Sequence, residues 1–173
     1  MYKVAKGAMS LRAWRFITVM LAALSMGLAF SHPMEMPAKM AYGGALWLKL
    51  VQSLYWAFGT IGAFIEVGAV LAAAALALIV RGRRPAFGWT LSGALLMAAA
   101  HAAWWIWVAP VNAAMRPLGP ETLPPDWTAL RDQWEYAHAA RAVLQTAGLG
   151  ALVLSIISET PAGMAGSGPG GRV

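Results

Sequence analysis

Residues 50–80 read LVQSLYWAFGTIGAFIEVGAVLAAAALALIV, and in that whole run Glu66 is the only charged side chain. A helix needs about 20 mostly apolar residues to cross the hydrocarbon core of a bilayer, so this stretch is long enough to span one. Similar stretches lie on either side. Residues 14–31 are apolar after Arg15, residues 86–111 carry no charge, and residues 137–157 are apolar apart from His138, Arg141 and Gln145. The last helix is expected to start earlier, after Asp126. That residue follows Pro124 and Pro125 and is placed to cap the first turn through its carboxylate. The expected fold is all-α, an integral membrane four-helix bundle with spans at about 14–31, 48–80, 86–111 and 127–157.

Composition agrees. Of 173 residues 60% are hydrophobic and 12% charged, with a mean hydropathy of +0.60. Soluble domains carry about 25% charged residues, so this chain cannot cover a soluble surface. The absence of cysteine excludes a disulfide framework, a Cys-ligated zinc site and a thiol nucleophile. The net charge of +6 is not a nucleic-acid footprint, because the basic residues flank spans instead of covering a face. Lys3, Lys6, Arg12 and Arg15 precede the first span, and Arg81, Arg83 and Arg84 join the second to the third. The other side mixes Lys39, Lys49, Arg116 and Arg131 with Glu35, Glu121, Asp126 and Asp132. The positive-inside rule then implies an inner-membrane protein with a basic segment, residues 1–13, and both termini in the cytoplasm. Trp14, Trp47, Trp89, Trp107 and Trp127 fall near span ends, as an interfacial belt would. Residues 158–173, rich in glycine, read as a flexible tail. A rival reading takes residues 1–31 as a signal peptide cleaved after Ser31, leaving His32 as a terminal copper ligand.

Ionisable groups inside a membrane are costly, so they mark function by default. Helical spacing gathers them into stripes: Gln52, Tyr55, Gly59, Gly62 and Glu66 on the second helix; His101, Trp105, Val108 and Asn112 on the third; Arg131, Glu135, His138, Ala142 and Gln145 on the fourth, with Arg141 beside them. At 1.5 Å per residue Glu66, His101, His138 and Arg141 all lie roughly 22–29 Å from the cytoplasmic surface. Glu135, His32 and Glu35 fall a little further out. One polar pocket in the outer half of the bundle is expected.

Three readings of that pocket are open. In the first, Glu66 and Arg141 form a buried ion pair that locks the fold. In the second, Glu135-x-x-His138 has the i, i+3 spacing of di-iron bundles, with His101, His32, Glu35 and Glu66 as further metal ligands; Pro33 weakens helical geometry near His32, and pairing of Glu66 with Arg141 lowers the ligand count. Met34, Met36 and Met40 offer soft sulfur to Cu(I), although methionine there more often simply packs. In the third, His138 or His101 is a general base, Arg141 stabilises an anion on an apolar ligand, and Glu135 and Glu66 are orienting or paired carboxylates. Tyr55, Trp105, Gln52 and Asn112 would line the ligand site. Gly59 and Gly62 either make room for a flat molecule or serve close helix packing.

The pattern Asp126-Trp127-x-x-Leu130-Arg131-x-x-Trp134-Glu135-x-x-His138-x-x-Arg141, with Pro110-Val111-Asn112 and Phe30-Ser31-His32-Pro33-Met34-Glu35-Met36-Pro37, resembles a family of small four-helix membrane proteins commonly labelled anthrone-oxygenase-like. The resemblance covers about residues 13–157. It implies an oxidoreductase that converts an apolar aromatic or quinone-like molecule, an anthrone in the name-giving case, to the quinone without flavin or haem. It carries no residue roles with it. The alternative is a non-catalytic membrane subunit that binds a protein partner, a lipid, a quinone, or a haem held between His101 and His138.

Overall fold

The computed structural model describes residues 2–160, and side chains from Ser10 onward. The apolar runs are helices throughout. α1 spans Tyr2–Ala41, α2 Gly44–Leu54, α3 Trp56–Val80, α4 Ala86–Ala103, α5 Ala109–Met115 and α6 Trp127–Ile157. A π-helical turn, Trp104–Val108, joins α4 to α5, and a 3-10 turn, Pro120–Thr122, precedes α6. No strand occurs among the described residues. Four segments, Ser10–Ala41, Trp56–Val80, Ala86–Met115 and Trp127–Ile157, are long and apolar enough to span a bilayer. The shortest has 25 residues, which at 1.5 Å per residue is about 37 Å against a hydrocarbon core of about 30 Å. By helix length and composition the chain is a multi-pass helical membrane protein.

α1 packs on α3 and α6, and α4 packs on the same two helices. Small residues set these contacts, as expected where lipid is as apolar as the helices themselves. Ala22, Ala69, Ala73 and Ala94 meet Met97 and Leu152 at mid-height. A Cβ on Gly93 would lie 2.9 Å from the Gly148 carbonyl oxygen, so α4 and α6 touch backbone to backbone there. Hydroxyls add polar ties across the helices: Ser25 donates to Gln145 Oε1 at 2.9 Å, Thr18 to the Ala72 carbonyl at 3.3 Å, and Thr90 and Ser155 share a bond of 2.6 Å. Phe16, Phe64, Leu78 and Val143 point outward and are exposed, which suits a lipid environment. At the end carrying the turn 81–85, the arginine end, Glu159 pairs with Arg15 and lies 3.7 Å from Arg83.

Several local expectations are corrected. The first helix does not stop near residue 31. It continues through Pro33 and Pro37 to Ala41, because its last turns are tied to α6: Arg131 donates to the Met40 carbonyl at 2.9 Å, and Lys39 meets Glu135. The run 48–80 is two helices, broken at Tyr55 (φ −90°, ψ 10°). Trp47 is no interfacial residue but is fully buried, together with Leu48, Val51 and Trp134. Asp126 precedes α6, yet its carboxylate caps nothing; its φ of −97° and ψ of 21° depart from the extended backbone a cap requires, and its carbonyl instead accepts from Ala129 N–H at 2.9 Å. Ser158 continues from α6 as a turn, while residues 161–173, most of the expected tail, lie outside the described residues. The side chains of Lys3 and Lys6 also lie outside the description.

Candidate functional site

The site is built on three helices. Glu66 projects from the middle of α3, His101 from the last turn of α4, and His138 and Arg141 from adjacent positions on one face of α6. Arg141 ties them together. Its Nη2 donates to Glu66 Oε2 at 2.6 Å, its Nη1 meets His138 Nδ1 at 3.1 Å, and its Nε donates to the Ala100 carbonyl at 3.1 Å. The other carboxylate oxygen, Glu66 Oε1, lies 3.5 Å from His101 Nδ1. Trp105, in the π turn, donates its indole N–H to His101 Nε2 at 3.1 Å. These contacts bring Glu66, His101, His138 and Arg141 together.

Donor and acceptor roles fix the tautomers. A guanidinium only donates, so His138 Nδ1 accepts from Arg141 and the ring carries its proton on Nε2. An indole only donates, so His101 Nε2 is an acceptor and the His101 proton sits on Nδ1, facing Glu66. The two histidines therefore differ in chemistry. His138 has its lone pair occupied by Arg141 and its ring stacked on His32, centroids 3.9 Å apart and planes 18° apart. His101 has a carboxylate 3.5 Å from one nitrogen, with no hydrogen bond formed between them, and on the other a lone pair that accepts from an exposed tryptophan. Of the two base candidates His101 has the looser tie on its acceptor nitrogen, an exposed indole where His138 has a buried guanidinium. Arg141 has its charge matched by Glu66 and serves as the strut holding that carboxylate.

A cavity of about 1020 Å³ opens beside this array. All four expected ligand-site residues, Tyr55, Trp105, Gln52 and Asn112, line it, with Glu66, His101, His138 and Arg141 in its wall. Trp56, Val67 and Trp105 line it and are exposed on the outside of the helices, so the cavity has a sideways mouth between α3 and the π turn. Gly59 and Gly62 divide the two roles expected of them. A Cβ on Gly59 would meet nothing within 4 Å, whereas one on Gly62 would be 3.3 Å from Leu28 of α1. Gly59 makes room and Gly62 permits packing. Two polar wall residues are engaged with the protein: Gln52 Nε2 donates to the Met115 and Leu118 carbonyls, each at 2.9 Å, and Asn112 Oδ1 accepts from Trp134 at 2.9 Å.

Glu135 and Glu35 are absent from the cavity wall. Glu135 is buried behind it, 2.9 Å from Lys39 Nζ, and accepts from Trp47 Nε1 at 3.2 Å. Glu35 accepts from the Tyr55 hydroxyl and lies 3.7 Å from the same lysine. Lys39 sits 5.0 Å from the Tyr55 ring centre and 4.8 Å from that of Trp134. This second cluster escaped the sequence reading, which places Lys39 on a solvated flank; its one legible sign is the i, i+4 spacing of Glu35 and Lys39.

The clusters bear on the metal reading. Among the described residues no three His, Asp or Glu side chains meet as a metal set. The reason is physical: Lys39 occupies Glu135, and Arg141 occupies both Glu66 and one nitrogen of His138, so Glu135-x-x-His138 splits between two environments. No protein-family model matches the chain, and no curated protein or solved structure matches it.

Proposed function

We propose that the protein is an inner-membrane four-helix bundle, both termini cytoplasmic, that takes a flat apolar aromatic or quinone-like molecule from the bilayer and oxidises it with dioxygen, as its resemblance to the anthrone-oxygenase-like family implies. The observation that supports this most is His101, held against Glu66 with its basic nitrogen at the sideways mouth of a large cavity. When Trp105 swings off, that nitrogen faces a ligand. The imidazole takes a proton from a methylene made acidic by flanking rings and a carbonyl, leaving a carbanion. The carbanion donates electrons to O₂ and forms a C–O bond. The hydroperoxide then loses water and leaves a carbonyl, so the sum is R₂CH₂ + O₂ → R₂C=O + H₂O. The proton held by His101 leaves in that water.

The test is oxygen uptake and quinone absorbance with a hydroxylated anthrone and the purified protein in detergent. A positioned base is worth about 10²–10⁴ in rate. His101→Phe should lose at least the lower figure while keeping its unfolding temperature. A variant that turns over as the wild type does would sink the reading, and a chain without turnover that purifies with a fixed protein partner would favour the non-catalytic subunit.

A further inference from the structure

His32 lines the same cavity, is 4% exposed, and has a buried Nδ1 with no hydrogen-bond partner among the described residues. Its ring is the middle of a stack. It lies 3.9 Å from the His138 ring, 4.8 Å from Tyr55 at 26°, and edge-on to Trp134 at 5.1 Å. An aromatic slot of this shape would be filled by phenylalanine without leaving a polar atom unsatisfied, and an unsatisfied buried nitrogen is a net cost to the fold. A buried polar group without a partner calls for an explanation. The neighbours supply none: Lys39 is taken by Glu135, Tyr55 gives its hydroxyl to Glu35, and His138 Nδ1 is taken by Arg141.

The order of groups along the wall suggests one. From the mouth inward run His101, Glu66, Arg141, His138 and His32, each touching the next. The wall therefore has a polar station at each end, with the ion pair and the stacked His138 between. A 180° turn of the His32 ring keeps its outline and exchanges its nitrogens with carbons, so a nitrogen can be brought to the cavity without repacking. A neutral imidazole both donates and accepts, so it serves a carbonyl or a hydroxyl equally.

We propose that His32 is the recognition residue for the ligand, hydrogen-bonding a ring oxygen at the edge away from the carbon that faces His101. The substrate class is then an oxygen-bearing aromatic, a hydroxylated or quinonoid ring system, and a bare polycyclic hydrocarbon is discriminated against. This rests on the reading of His101 as the base only for the orientation of the ligand; the binding preference stands without turnover.

The test uses quenching of tryptophan fluorescence, which Trp104, Trp105 and Trp134 in the wall make sensitive to occupancy. The probes are 1,8-dihydroxyanthraquinone and anthracene, added to the purified full chain in detergent. The wild type should prefer the oxygenated probe. His32→Phe, which keeps the stack, should lose about tenfold in affinity for that probe, the worth of one hydrogen bond, and nothing for anthracene. His32→Asn should restore most of the preference. In turnover with a hydroxylated anthrone His32→Phe should raise KM and spare kcat, the reverse of His101→Phe. Equal binding of the two probes by the wild type, or an equal loss for both in His32→Phe, would overturn the proposal whether or not the variants fold well. A wild type that prefers the oxygenated probe but shows no turnover supports His32 as the recognition residue while the oxidase reading fails. A wild type quenched by neither probe ends both.

Discussion

Arg141 has three donors committed, to Glu66, to His138 and to a backbone carbonyl, and is only 5% exposed. A guanidinium cannot shed its charge, so everything around it is arranged to match that charge. Removing one member of a buried pair leaves the other uncompensated, at about 3–5 kcal/mol. Glu66→Gln and Arg141→Met should each lower the unfolding midpoint in detergent by that order. The double variant removes both charges and should lose less than either single one; strictly additive losses would show the two are uncoupled. The second cluster gives a parallel case. Lys39→Met should destabilise strongly because Glu135 is 1% exposed and has lost its cation, and adding Glu135→Gln should recover part of the loss. The first cluster is legible in the sequence, since charges and histidines stranded in apolar runs at equal depth must meet one another. Lys39 is not legible, because a lysine just past an apolar run reads as a flank, and its burial follows from α1 running on through Pro33 and Pro37. The distinction between His101 and His138 is not legible either; it comes from which nitrogen Trp105 and Arg141 reach.

Helix identity and number follow from long apolar runs, and these are what four segments of the chain present. The breaks inside them follow only in part. The kink at Tyr55 falls in apolar, aromatic sequence with no glycine or proline at the break, so no local residue announces it, whereas the π turn Trp104–Val108 runs into Pro110, whose missing N–H disturbs the helical ladder on its N-terminal side. Both adjust the wall of the cavity: the first turns Tyr55 toward Glu35 and His32, the second puts Trp105 over His101. The contact of α4 with α6 is different, because it depends on small residues that a sequence does show. A methyl group on Gly93 would press on Leu152 at 2.8 Å and on the Gly148 carbonyl at 2.9 Å, and backbone on the far side cannot yield. Gly93→Ala should therefore cost about 1–3 kcal/mol as an overpacked contact. Gly150, on the same helix as Gly148, has nothing within 4 Å of the added carbon. Gly150→Ala should be neutral or stabilise by about 0.5–1 kcal/mol through backbone entropy. Thermal unfolding of the two variants side by side separates the effect of the contact from that of helix propensity, and equal responses would show that α4 and α6 do not meet there.

Orientation in the membrane is a property of the whole chain, and the structure sharpens the charge argument behind it. The two ends are less alike than residue counts suggest. Lys39, which the sequence places among the cations of the end away from the arginine turn, is 3% exposed and matched by Glu135 and Glu35 inside the protein. Arg131 is matched by its neighbour Asp132 at 3.0 Å. That end therefore presents little net positive charge, whereas Arg12, Arg15, Arg81, Arg83 and Arg84 at the other end face a single carboxylate, Glu159, among the described residues. In the orientation proposed above the arginine end is the cytoplasmic one, as the positive-inside rule expects for a difference of this kind, and Gln52 and Asn112 then lie toward the outer leaflet. The chain has no cysteine, so single cysteines report sidedness without a background to remove. Gly82, in the turn after α3, and Glu121, in the turn before α6, are both exposed. In intact spheroplasts of a bacterial host a membrane-impermeant maleimide should label Glu121→Cys and leave Gly82→Cys unlabelled until the cells are lysed. The opposite pattern would invert the protein, turn the cavity toward the cytoplasmic leaflet, and require any ligand to enter from that side.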